Sequence, residues 1–82
     1  MLIGILKVRG EYYMEDRQYF LIWCIEAVKR IKGISGSSVY NKLKECDCLK
    51  FIIDNYEVIH SESEEYIVED IVEFCKNRGV LL

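Results

Sequence analysis

The sequence predicts an all-α fold, a compact bundle of about four short helices in a single domain. Three observations carry this. The 82 residues contain no proline and five glycines, whereas the repeated turns of a small β-protein usually draw on more of both. Apolar residues recur at three- and four-residue steps along most of the chain. A composition of 51% hydrophobic and 30% charged residues supports a core with a wetted exterior, which excludes intrinsic disorder. The length suits one domain and excludes a large enzyme with a multi-layered active site.

The first helix is expected over residues 15–32. Phe20, Cys24, Ala27 and Ile31 fall on one face of a 3.6-residue period, and Leu21, Ile25 and Val28 widen it. Gly33 stops this helix, with Lys29, Arg30 and Lys32 complementing the carbonyl end of its dipole. Ser35 is expected to cap a short second helix reaching about Cys46, with Val39 and Leu43 inward. Asp47 is expected to cap a third, where Leu49, Ile52, Ile53, Tyr56 and Ile59 repeat at helical spacing. His60-Ser61-Glu62-Ser63 is a polar break. Ser61 or Ser63 then caps the fourth helix, whose first turn carries Glu64 and Glu65 and whose buried face is Ile67, Ile71, Phe74 and Cys75. Gly79 ends it.

Residues 1–13 stand apart from this scheme. Leu2–Val8 has the composition of a strand but lacks a second strand to pair with. Arg9-Gly10-Glu11 can be encoded as AGA-GGA-GAA, which contains the core of a bacterial ribosome-binding site just upstream of Met14. The expectation is therefore an amino-terminal extension over 1–13 arising from a misassigned start, and a helical domain over 14–82. The apolar runs Leu2–Leu6 and Tyr19–Ile25 are far shorter than the ~20 residues a membrane-crossing helix needs. No basic region precedes the first run and no small-residue cleavage site follows it. The expected location is cytoplasmic, with the four cysteines reduced.

Charge is unevenly spread. The net value is −3, yet residues 29–50 hold six basic against two acidic side chains and residues 51–82 hold two against eight. A basic middle and an acidic end attract one another weakly across solvent.

Candidate chemistry is sparse. Structural zinc favours paired C-x-x-C knuckles, but Cys46-Asp47-Cys48 is a C-x-C, and Cys24 and Cys75 lie on apolar helix faces as small hydrophobes. No metal or cofactor is expected. His60 is the single histidine and has Glu62, Glu64 and Glu65 close by. The chain lacks a phosphate loop, a nucleophile elbow or a second histidine to build an active site around it. A lone histidine at a helix end more often meets backbone carbonyls or packs its ring, so His60 is read as a structural polar residue. Neither enzymatic activity nor a small-molecule substrate is expected. The two helices of the basic segment raise a helix-turn-helix reading, with Ser37, Ser38, Asn41 and Lys42 at the front of the second helix. The acidic end and a pI near 5.1 oppose phosphate binding.

Two further features concern surfaces. Tyr66 and Asp70 share a face of the fourth helix, where Asp70 is expected to accept a hydrogen bond that fixes helix packing. On the first helix, Tyr19, Ile22, Glu26, Lys29 and Arg30 lie opposite the core face, with Trp23 at the border. The amino-terminal half of this outer stripe is thus apolar and aromatic. It can be covered by Leu2–Val8, a second copy of the chain or another protein. Interface centres favour Tyr and Trp, so Tyr19, Ile22, Trp23 and Tyr66 are expected to bind a protein partner or form a homodimer.

A family resemblance covers Met14 to Arg78. It rests on the aromatic-rich first helix (Tyr19, Phe20, Trp23, Cys24, Ile25, Glu26) and on Ser35-Gly36 with Val39-Tyr40. It continues through Leu49, Ile52-Ile53-Asp54 and Tyr56, and ends in His60-Ser61 followed by Glu65-Tyr66-Ile67-Val68-Glu69-Asp70-Ile71. These features resemble a small bacterial family, domain of unknown function 3791, whose members often carry Thr at the position of Ser61 and Gly at that of Ser63. The resemblance implies a small cytosolic helical domain. It also implies a gene neighbourhood shared with an ADP-ribosyltransferase-like family, hence an antitoxin or accessory role by association. The expected function is a non-enzymatic helical protein-interaction module. The alternative is a small nucleic-acid-binding regulator using the basic 29–50 segment.

Overall fold

A computed structural model describes residues 14–82. Among these residues the structure is helical, with no strand. Helix α1 spans Met14–Lys32, α2 Gly36–Glu45, α3 Cys48–Asp54, α4 Tyr56–Ile59 and α5 Glu64–Lys76. The extension expected over residues 1–13 lies outside the described residues.

The longest helix, α1, is the spine: α2, α3 and α5 all pack against it, and α3 also contacts α2, α4 and α5. Cys24, Ala27 and Val28 from α1 meet Val39 and Leu43 from α2, Ile52 from α3 and Ile67, Ile71 and Cys75 from α5 in one buried cluster. Each side chain removed from water in this way contributes roughly 1.5–3 kcal/mol for the larger aliphatics. Phe51 and Phe74 close the α3–α5 seam with stacked rings 4.3 Å apart.

The helix ends follow local chemistry. Gly33 takes a left-handed backbone (φ 69°) and donates its N–H to the Lys29 carbonyl at 2.9 Å, the conformation that glycine adopts without a Cβ clash. Ser35 Oγ accepts from Ser38 N–H at 3.1 Å, capping α2. Ser63, rather than Ser61, caps α5 by accepting from Tyr66 N–H. Ser61 Oγ instead donates backwards to the Val58 carbonyl.

Three expectations are corrected. Asp47 does not cap α3 with its side chain. Only a tight turn separates α2 from α3, and it forces Asp47 into the left-handed region at φ 63°. Its carboxylate lies 3.8 Å from Arg78 instead. The single third helix is two, α3 and α4, broken at Asn55. There the side-chain amide donates to the Phe51 carbonyl at 2.8 Å, competing with the backbone ladder. Ile31, expected on the core face of α1, is 45% exposed. It borders an open groove with Val68 and Val72 of α5 rather than a packed layer.

Candidate functional site

The amino-terminal half of α1 presents the apolar outer stripe that its sequence requires. Tyr19, Ile22 and Trp23 are 64%, 55% and 40% exposed. Beside them runs an open groove of about 470 Å³, lined by Asp16, Tyr19, Phe20 and Trp23 from α1, Tyr56 from α4, His60, Glu62, and Glu64 and Ile67 from α5. The fold brings these residues together because α5 packs on α1 with its first turn, at Glu64 and Ile67, beside the groove. An ion pair joins Glu64 to Arg30 of α1.

The groove wall is a run of rings. Phe20 stacks on Trp23 with centroids 5.8 Å apart. Tyr56 meets Phe20 edge-on at 5.4 Å, and His60 stacks on Tyr56 at 4.4 Å. Such contacts add about 0.5–1.5 kcal/mol per aromatic pair beyond area burial and hold the rings in one arrangement. Arg17 braces the wall from behind. Its Nη1 donates to the Ile53 carbonyl at 2.6 Å, and its guanidinium lies 5.4 Å from the Tyr56 ring centroid.

His60 belongs to this wall. Its Nδ1 lies 2.7 Å from the Tyr56 carbonyl. A carbonyl only accepts, so Nδ1 carries the proton and donates. Asp70 departs from expectation. It is exposed and does not act as a packing acceptor for a buried donor. Its neighbour is the Glu62 carboxyl, whose pKa is raised chiefly by a hydrogen bond with Asp70, with burial and like charge adding to it. Tyr66, 63% exposed on α5, is not among the residues that line the groove, and neither is Ile22.

The residues of the basic segment are arranged differently. Ser37 and Asn41 are exposed, one turn apart on α2, while Ser38 and Lys42 are half-buried. The Ser37 hydroxyl lies 3.3 Å from that of Ser35, which also accepts from the backbone N–H of Ser38 at the helix start. Three of the six basic side chains in 29–50 make intramolecular ion pairs: Lys29 with Glu26, Arg30 with Glu64 and Lys50 with Asp54. The positive face is correspondingly diluted.

A protein-family model, described as a protein of unknown function (DUF3791), matches residues 19–78. The chain belongs to the DUF3791 family. The match spans the aromatic stripe of α1, the groove wall and α5, so the candidate surface lies inside the matched residues except for Asp16 and Arg17 at the start of α1. No curated protein and no solved structure matches the chain. No described helix is long and apolar enough to cross a membrane.

The cysteines form a feature that sequence spacing alone does not disclose. All four are buried, and Cys46 and Cys75, from separate elements, place their sulfurs 3.1 Å apart. The Cys24 and Cys48 thiols are pushed up to about 12, in both chiefly by burial, with the charge of Cys48 a lesser cause at Cys24. Cys75 is also driven upward, first by burial and then by its cysteine neighbours.

Proposed function

We propose that this DUF3791 chain is a non-enzymatic protein-interaction module acting in the cytoplasm. It binds a protein partner through the outer stripe of α1 and the adjoining groove. The observation that carries the reading is the exposure of Tyr19, Ile22 and Trp23 together beside a braced aromatic wall. Isolated exposed apolar residues need no explanation, but a contiguous aromatic group is what interface centres use. Trp23 is already fixed by stacking on Phe20, so little side-chain entropy remains to be lost on docking. The partner suggested by the family's gene neighbourhood is an ADP-ribosyltransferase-like protein, with this chain as antitoxin or accessory.

The test is co-expression with the product of the adjacent gene, comparing the wild type with a Tyr19→Ser/Ile22→Ser variant. We expect the wild type to co-purify with that product and the variant to lose it while melting within a few degrees of wild type. A variant that melts several degrees lower with association unchanged would overturn the reading, because the stripe would then be core. Sizing chromatography of the chain alone distinguishes a homodimer using the same stripe. Retention of a specific DNA in place of a protein would move the function to Ser37, Ser38, Asn41 and Lys42.

A further inference from the structure

Cys46 and Cys75 lie 29 positions apart in sequence and meet in the core, with sulfurs 3.1 Å apart. A disulfide bond is about 2.05 Å long, so roughly 1 Å of closure separates this contact from a covalent link. The chain segments that would be joined are already tied together. Arg78 Nη1 donates to the Cys46 carbonyl at 3.4 Å, while the Arg78 guanidinium lies 4.4 Å from the Phe74 ring centroid. Val80 N–H donates to the Cys75 carbonyl at 2.9 Å. Cys46 is the C-cap residue of α2, with a non-helical backbone, so its side chain can turn without breaking a helix. Among the four thiols Cys46 alone retains some exposure, at 5%, while Cys24, Cys48 and Cys75 have none.

We propose that Cys46 and Cys75 are an oxidisable pair, converted by a small peroxide into an intramolecular disulfide that staples the α2–α3 turn to the end of α5. The Cys46 sulfur, reached first, attacks hydrogen peroxide as its thiolate. The O–O bond breaks, an S–O bond forms, and the departing hydroxide takes up a proton to leave as water, giving a sulfenic acid at Cys46. The sulfur of Cys75, giving up its proton as it attacks, then displaces that hydroxyl. The S–O bond breaks, the S–S bond forms and a second water leaves. The peroxide gains two electrons and the two thiols lose them. A dithiol reductant reverses the change by exchange. Cys48 is adjacent but fully buried, and it stands two residues from Cys46, a spacing too short for an unstrained disulfide.

The experiment treats the reduced, folded full chain with hydrogen peroxide, alkylates the remaining thiols under denaturing conditions and maps the product by mass spectrometry. Digestion before aspartates cuts between Cys46 and Asp47, so Cys46 and Cys48 are told apart in the wild-type protein without any substitution. We expect the monomer to lose two of its four thiols and about 2 Da. The link should join the Cys46 peptide to the Cys75 peptide and disappear with dithiothreitol. Cys48→Ser should keep the link and Cys46→Ser should abolish it. Four intact thiols in folded protein, a link through Cys48, or sulfinic and sulfonic acid at Cys46 without any link would each overturn the proposal. So would a link that forms only after the chain has been unfolded in urea.

Discussion

Asp70 and Glu62 show how a pair of exposed carboxyls records its neighbourhood. The raised pKa of Glu62 means that the folded chain holds its proton more tightly than the unfolded chain does. Its contribution to stability is therefore present below the ordinary carboxylate range and is lost as pH rises through the raised value. Like charge on Asp70 beside Glu62 is one of the causes of that raised pKa. Asp70→Asn should raise the melting temperature at pH 7, with the difference from wild type shrinking towards pH 3. A lower melting temperature at pH 7 would show that Asp70 has a packing partner after all. Helical spacing places Asp70 one turn from Tyr66, but it does not reveal that the loop before α5 folds Glu62 back towards it. In the same way, Cys75 reads correctly as a small buried residue of its helix, while its meeting with Cys46 depends on how α5 docks, which no local pattern encodes.

The elements themselves were largely legible, because helix periodicity and capping act over three or four residues. The residues that cap α2 and α5 illustrate both the strength and the limit of that reading. The sequence offers Ser61 or Ser63 for α5, and geometry selects Ser63. Ser63→Ala should cost about 1 kcal/mol in chemical denaturation, in line with other lost N-caps, whereas Ser61→Ala should cost clearly less. Equal losses would place the start of α5 earlier. The break at Asn55 escapes periodicity because Ile52, Tyr56 and Ile59 keep the same helical phase on either side of it. The one local sign is the amide side chain, a type that competes with backbone hydrogen bonds. Asp47 misleads for a related reason. An Asp before an apolar run reads as a cap only when its backbone is extended, and here the short turn demands a left-handed residue. Ile31 keeps its phase on α1, but the neighbouring stretch of α5 stands off as an open groove instead of covering it.

At the scale of the whole molecule, the thiols make stability sensitive to alkali. Cys24 and Cys48 stay protonated in the fold until about pH 12, while unfolded thiols ionise near 9.0. Folded pKa values raised in this way contribute stability that is full below pH 9 and drains between about pH 9 and 12. Urea denaturation under reducing conditions should therefore be nearly flat from pH 7 to 8.5 with respect to these groups. It should fall above that by at most about 1.4 kcal/mol per pH unit for each thiol. Cys24→Ala should lessen that slope, whatever it does to stability at pH 7. An unchanged slope would mean that Cys24 ionises in the fold as readily as in the unfolded chain. The uneven charge of the sequence has a partial structural outcome. The Arg30–Glu64 pair joins the basic middle to the acidic end, while much of both surfaces remains in water, where such pairs contribute up to about 1 kcal/mol.

The order of packing around α1 bears on how the chain acquires its shape. Contacts of α1 with α2, of α2 with α3 and of α3 with α4 join neighbours in sequence, so each closes a short loop at small entropic expense. The contact of α5 with α1 spans the domain and must wait for the longer closure. Such a topology favours rapid collapse of residues 14–59 into a partly ordered platform, on which α5 condenses late. Changes at the inner face of α5, at Ile67 or Ile71, then act mainly on how fast the finished molecule comes apart, and those at the α1–α2 seam on how fast it forms.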